Sequence, residues 1–316
     1  MTMDQASTSQ TMAQSKQFWG LIRDSVYGWM NDHAPRKGAA LAFYTVFSLT
    51  PVLIISISVA GFFFGEEAAR GEISRQVRDL VGPGAAVAVE DMIRNSSKPK
   101  EGLVATIFGM ITFLIGATTA LTELKNDLDE IWETPPERHT GWWQFIRTRL
   151  LSLGLVLAVG FLLLVSLVFS AALAALRRVW GIESMTLYLE TINVFITFIL
   201  VTLLFAMIYK VLPNYRIAWR DVWMGAMVTS LLFSVGKFLI GFYLGNSAIA
   251  SSYGAAGSLT LVLVWVYYSA QIFLLGAEFT KFYAYRYGSR QEKPEAAAML
   301  ETAKPPSSYN SASRPS

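Results

Sequence analysis

The chain has 316 residues, of which 53% are apolar, only 16% are charged and none is cysteine. A soluble domain carries about 25% charged residues, and the missing cysteine excludes disulfides, thiol catalysis and cysteine-based metal sites. The net charge of +3 and pI near 9.0 are assigned to membrane topology and not to nucleic acid, because the basic residues flank apolar runs.

Residues 1–17 are polar, and the first apolar run is too long for the core of a cleaved signal. Residues 18–30, with Phe18, Trp19, Ile22, Val26, Tyr27, Trp29 and Met30, predict a short interfacial helix whose aromatics suit the headgroup layer. Five stretches then carry no Asp, Glu, Lys or Arg: 38–65, 102–122, 150–176, 191–209 and 259–277. A sixth, 222–244, carries one charge, Lys237. Each approaches the ~20 residues that a bilayer core requires. Lipid offers backbone groups no hydrogen bonds, so each span is expected to be an α-helix. The alternation of barrel strands is absent.

The expected fold class is therefore all-α: a polytopic membrane protein with helices at about 38–64, 103–124, 150–176, 188–211, 222–244 and 258–280. A cytoplasmic segment 1–35 precedes the membrane domain 36–285, and a disordered tail 286–316 follows it. With a cytoplasmic N-terminus, seventeen Lys and Arg fall inside and eight outside. This bias places both termini in the cytoplasm. The outer insert 66–101 has apolar residues at helical spacing on either side of Gly82-Pro83-Gly84, suggesting two short amphipathic helices or a packed loop cap. Pro51, after Ser48 and Thr50, is expected to kink the first span, with a hydroxyl satisfying the freed carbonyl. Phe113–Ala117 weakly echoes Phe273–Ala277, as in a parallel repeat.

Polar residues line up within the spans. Thr260, Tyr267, Gln271 and Glu278 share one face of the last helix at about 100° per residue. Ala226, Ser230, Ser234, Lys237, Gly241 and Gly245 form a stripe on the fifth. Gly109, Thr112, Gly116, Thr119 and Glu123 do so on the second, and Asn193 and Thr197 on the fourth. Small residues alone suit close helix packing. Lys237, Gln271 and Glu278 exceed what packing needs and point to a polar cavity or substrate path. Candidate binding residues are Lys237, Gln271, Tyr267, Asn193, Glu278 and Glu123. Glu278 lies too deep to pair with Lys237, for which Asn193, Glu190 and Tyr267 are better matched in depth. Glu123, Asp127 and Glu130 form an acidic ridge, read as a salt-bridge cluster with Arg147 and Arg149 in preference to a metal site. No catalytic residue, metal or cofactor is expected. The only histidines, His33 and His139, are far apart in sequence.

Several long motifs carry a family resemblance. Gly38-Ala39-Ala40-Leu41-Ala42-Phe43-Tyr44 leads to Phe47-Ser48-Leu49-Thr50-Pro51. Arg149-Leu150-Leu151-Ser152-Leu153-Gly154 precedes Phe161-Leu162-Leu163-Leu164-Val165-Ser166-Leu167. Tyr253-Gly254-Ala255-Ala256-Gly257-Ser258-Leu259 is followed by Tyr267-Tyr268-Ser269-Ala270-Gln271 and Leu275-Gly276-Ala277-Glu278-Phe279-Thr280. Over roughly residues 20–285 the chain resembles the YihY/BrkB family of bacterial inner-membrane proteins. The resemblance implies a six-helix protein of the inner membrane and leaves its activity open. The family's older label, ribonuclease BN, implies a tRNA-processing nuclease. These residues offer it neither a histidine or cysteine metal cluster nor an RNA-binding module with stacking aromatics.

The reading favoured is a non-enzymatic transporter or flippase-like carrier of a small solute or envelope lipid component. Without a Walker A motif, a gradient and not ATP would drive it. An envelope scaffold that moves nothing is the alternative. The expected partners are the lipid bilayer and a solute or lipid cargo, with homo-oligomerisation open and nucleic acid not expected.

Overall fold

The computed structural model describes residues 3–65, eight positions between 67 and 90, and the stretches 119–134, 186–246 and 255–290. Among the described residues all regular structure is helical. The helices are α1 (Met3–Asn31), α2 (Ala34–Phe64), α3 (helical residues 119–131), α4 (Thr186–Val211), α5 (Trp219–Asn246) and α6 (Ala255–Arg286). Three contain segments long and apolar enough to cross a membrane: Thr191–Val211, Trp219–Ile240 and Leu259–Arg286. The expected third span, 150–176, lies outside the described residues, as do residues 103–118 of the expected second span with Gly109, Thr112 and Gly116, Arg147, Arg149, His139, the Phe113–Ala117 echo, most of the 66–101 insert and the tail beyond 290.

α6 is the element on which the others converge. It packs along α5, α2 and α1, and α5 in turn packs on α4. At 32 residues and 1.5 Å per residue it is about 48 Å long, more than the ~30 Å hydrocarbon core. Its C-terminal turns therefore extend toward one end of the bundle. There the α1–α2 junction, the end of α3 and the α4–α5 turn also meet.

The α5–α6 seam is built from small residues. Thr280 lies over Gly225, and Thr229 lies over Gly276; in each case a side-chain carbon on the glycine would collide with the threonine hydroxyl. The arrangement is reciprocal, because each helix contributes a glycine and a threonine four residues later. Thr229 Oγ1 donates to Gly225 O at 2.8 Å, and Thr280 Oγ1 donates to Gly276 O at 2.7 Å. The hydroxyls are thus satisfied within their own helices, leaving the seam to van der Waals contact at short range. Farther along, Gly236 faces Tyr268 and Ile272, so the two helices run antiparallel.

Tyr209 joins α4 to this seam. Its buried hydroxyl donates to Phe273 O at 2.8 Å and lies 3.0 Å from Thr229 Oγ1. Tyr209 and Thr229 bring two protons to three contacts, so one proton is shared between two acceptors. Phe205, Tyr209 and Phe273 form an aromatic cluster, with Leu128 and Ile131 of α3 and Trp132 just after it in the same core. The opposite side of α5 is exposed and apolar, with Leu231, Val235, Phe238 (76% exposed) and Phe242, as a lipid-facing surface requires.

α1 is longer than the 18–30 helix expected from its aromatics, beginning at Met3. One face, including Leu21, Ser25 and Gly28, packs toward α6, while Phe18, Trp19, Val26, Tyr27 and Met30 are exposed on the other. α1 gives way to α2 at Asp32-His33. His33 adopts a left-handed conformation, φ 54° and ψ 34°, uncommon for a residue with a side chain but more frequent in histidine. Pro35 follows in the first turn of α2, where its missing N–H leaves no helical bond unmade. Around this elbow the His33 carbonyl accepts from Arg36 N at 2.9 Å and Lys37 N at 3.2 Å.

α2 remains helical through Pro51. Ser48 does not serve the carbonyl that Pro51 frees: its hydroxyl donates to Thr45 O at 3.0 Å. A helical hydroxyl reaches backward by three or four residues, so Ser48 cannot turn to Phe47 O.

Replacing Gly276 by leucine is expected to force α5 from α6 and abolish the cooperative melting transition. Tyr209→Phe keeps the ring, removes the hydroxyl and is expected to lower stability by about 1 kcal/mol. Thermal unfolding in mild detergent reads both, and a Gly276→Leu protein as stable as the native chain contradicts the seam.

Candidate functional site

The polar residues at the elbow are brought together by three separate pieces of chain. Glu278 of α6 is 1% exposed and points at α1, where a methyl group on Gly28 would sit 2.6 Å from its Oε2. Glycine at this position is what admits the carboxylate. Neither Glu278 oxygen accepts a hydrogen bond among the described residues. The carboxyl of Asp32, in the elbow, is its acidic neighbour, and Lys37 and Lys281 are its cationic ones.

Lys37 stands between this pair and α3. Its buried Nζ lies 3.1 Å from Glu130 Oε1, outside good hydrogen-bond geometry. Asp127, one turn earlier on α3, is 3% exposed, and its Oδ2 accepts no hydrogen bond among the described residues. Burial pushes the Asp127 carboxyl up to about 7 from 3.8; Lys37 opposes the shift, and Glu123 and Glu130 add to it. Gln271 completes the wall. It packs against Gly38 and donates from Nε2 to Ala34 O at 3.3 Å. Gln271 Oε1 and Trp29 Nε1 are buried and make no hydrogen bond among the described residues. Among the described residues Lys37 thus stands near Glu130, Asp127 and Glu278, with Glu123 beside Asp127 and Asp32 beside Glu278.

The rim is conventionally paired. Lys281 donates to Glu133 Oε1 at 2.7 Å, and that bond holds the exposed Glu133 carboxyl below its usual range. Asp129 accepts from Lys125 Nζ at 2.7 Å and from Asn214 N and Nδ2 at 2.6 and 3.0 Å, fastening α3 to the α4–α5 turn. Tyr215 stacks on Trp132 at 4.9 Å, and the Arg290 guanidinium lies over the Tyr215 ring, 4.8 Å from its centroid. Asp221, in the first turn of α5, accepts from Ser289 N at 3.1 Å and Ser289 Oγ at 2.6 Å, tying the end of α6 to the start of α5. Arg286 reaches Asp24 Oδ2 at 3.2 Å.

The sequence-derived candidates divide between two regions. Glu278, Gln271 and Glu123 belong to the elbow, Glu123 as a half-buried neighbour of Asp127. Lys237 does not. It is half-buried on α5 beside Gly236, whereas the level of Glu278 on α6 is marked by the Gly225–Thr280 contact. Twelve residues along α5 separate the two levels, about 18 Å. Tyr267 on α6 and Asn193 on α4 are half-buried. The polar stripe of α6 and its face toward α5 are roughly 140° apart. Gln271 and Glu278 therefore look toward α2 and α1, not across a cavity toward Lys237. Among the small polar residues of the α5 stripe, Ala226 and Ser230 are buried and Ser234 is exposed.

Lys37, Asp32 and Trp29 were missed by sequence reasoning. Lys37 immediately precedes a charge-free run, the one local sign that its amine enters the bundle end. Asp32 and Trp29 carried no such sign. Among the described residues no three His, Cys, Asp or Glu side chains are placed to hold a metal ion.

The virulence factor BrkB family model matches residues 25–300. A UPF0761 membrane protein of Stenotrophomonas maltophilia is 27% identical over 261 residues, covering 82% of this chain and 60% of that protein. A UPF0761 membrane protein of Xanthomonas campestris pv. campestris is 27% identical over 270 residues, 85% of this chain and 60% of the relative. One from Alkalilimnicola ehrlichii is 24% identical over 255 residues, 79% and 55% respectively. The chain thus spans somewhat over half the length of these relatives. No solved structure matches.

Asp127 supplies a pH dependence with a definite sign. The folded chain holds its proton to about pH 7, the unfolded chain only to about 3.8. The native state therefore binds the extra proton between these values, and its contribution to stability falls as pH rises through that window. Asp127→Asn removes this slope, so the variant gains stability relative to the native protein from pH 4 to 7. Melting curves in detergent across that range test it, and parallel pH profiles would refute the assignment.

Proposed function

We propose a function from one premise: the chain belongs to the virulence factor BrkB family. It is read as a multi-pass protein of the bacterial inner membrane, with six spanning helices in 36–285 and both termini cytoplasmic. Its function is to carry a small solute or an envelope lipid component across that membrane, without enzymatic chemistry.

The observation that carries this reading is the burial of Glu278, Asp127 and Lys37 at the elbow. Ionisable groups in such surroundings are expensive and mark ion or substrate paths in membrane proteins. The helices do not need them for association, because the Gly225/Thr229 and Gly276/Thr280 seam and the Tyr209 hydroxyl already hold α4, α5 and α6. The relatives are named as membrane proteins, which agrees with the setting. The elbow joins α1 to α2 through a single left-handed residue, so a small change there moves α1 relative to α2. That is the kind of hinge a carrier uses.

The scaffold reading has one observation of its own. In the 66–101 insert, Arg78 Nη2 lies 2.7 Å from Glu90 Oε1, a cross-link that would help present an ordered surface to a partner.

Purified protein in liposomes is expected to move cargo under an imposed proton or sodium gradient, with water-soluble organic solutes and fluorescent lipid analogues tested in parallel. Glu278→Gln is expected to slow movement at least tenfold and Lys237→Ala to leave most of it. No movement of either cargo class under either gradient, together with loss of cellular function on deleting 70–97, would shift the assignment to the scaffold.

A further inference from the structure

We infer that the elbow is a binding site for one small monovalent cation, a proton or an alkali metal ion, held between Asp32 and Glu278. Charge balance is the first ground. Among the described residues Lys37 is the single buried cation near Asp32, Glu278, Asp127, Glu123 and Glu130, and it is already engaged by Glu130 at 3.1 Å. Lys281 is drawn off to Glu133 at 2.7 Å, and the nearby Arg286 to Asp24 at 3.2 Å. Two neighbouring carboxylates, Glu278 buried and Asp32 half-buried, repel one another unless a positive charge lies between them.

The second ground is independent of charge counting. Glu278 is 1% exposed and sets Oε2 against Gly28, one turn before Asp32, and neither of its oxygens accepts a hydrogen bond among the described residues. Gln271 Oε1, from the same stripe of α6, is buried in the same condition. Gln271 sits two turns along the helix, about 10 Å away, so the Glu278 and Asp32 carboxylates alone supply the site's oxygens, the donors that a proton or a hard monovalent ion takes. Gly28 and Gly38 bring α1 and α2 close enough to α6 to shield the site, since a side chain at either position would meet Glu278 or Gln271.

The site also has a built-in consequence. With the cation bound, Asp32 at the elbow and Glu278 on α6 are drawn together, and Lys37 is left to α3. Without it, the carboxylates compete with Glu130 and Asp127 for Lys37, which loosens α3 from α2. This rests on the carrier reading only for its role in transport: cation occupancy would couple the gradient to movement at the elbow. Binding itself does not depend on that reading.

The test is thermal unfolding of the full chain in nanodiscs, using the Asp127→Asn background to remove that group's own titration. Melting temperature is measured from pH 5 to 8.5 in choline chloride, then at pH 8.5 with sodium or potassium chloride replacing choline at constant ionic strength. A melting temperature that falls by several degrees as pH rises, with no rescue by either metal, identifies the proton. Rescue by one metal identifies that ion. In either case Glu278→Gln or Asp32→Asn abolishes the response. Asp32→Asn, at a less buried position, serves if the Glu278 variant does not fold. A flat profile in all three salts overturns the site, as does a full response that survives Asp32→Asn. A flat profile with intact transport sinks the site alone; a clear response with no transport of any cargo sinks the carrier reading alone.

Discussion

The close approach of α5 and α6 is the contact on which the rest of the described structure depends. Lipid tails are as apolar as leucine, so helices in a bilayer gain little from hiding apolar surface from one another. What remains is contact at short range and the few hydrogen bonds that cross between helices. Gly225 under Thr280 and Gly276 under Thr229 supply the first. Tyr209, bonded to Phe273 O and against Thr229, supplies the second and brings in α4. With that seam set, Phe273, Leu274 and Ala277 face the core shared with α3, and the remaining face of α6 is turned to α1 and α2.

α6 therefore keeps two chemistries on two sides. One side is small and hydrogen-bonded within its own helix, and it packs closely against α5. The other carries Gln271 and Glu278 toward the elbow, where glycine at 28 and 38 leaves room for them. Burying a charge is costly unless it is paired, and among the described residues here the acids outnumber the one buried lysine. The bundle end is otherwise tied down by ordinary pairs: Asp129 with Lys125 and Asn214, Asp221 with Ser289, Lys281 with Glu133. The imbalance at Glu278 stands out against that background of satisfied polar groups.

Much of this was legible along the chain, and the parts that were not share a cause. Charge-free runs located α2, α4, α5 and α6 to within a few residues at most ends, because exclusion of charge from lipid acts on each residue separately. The periodicity of α6 put Gln271 and Glu278 on one face, because helical geometry is local. The same periodicity could not say which neighbour that face meets. Lys237 was therefore grouped with residues that look the other way. Depth arithmetic did better: the register seen through Gly225–Thr280 and Gly236–Tyr268 keeps Lys237 about 18 Å from the level of Glu278, as counting along the spans had indicated.

The sequence by itself determined the solvent this protein lives in, the helical class of its described segments and the faces on which polar groups lie. Each follows from composition and from a periodicity that a single helix expresses alone. Tertiary structure alone decided which faces touch. It turned the α6 stripe to the α1–α2 elbow, brought Lys37 and Asp32 to Glu278, and ranged the Asp127 ridge of α3 beside Lys37. Residues 32, 37, 127 and 278 are remote in the chain, and no local rule relates them. Their meeting is set by the angle at His33 and by the close seam between α5 and α6, both properties of packed helices and not of any one segment.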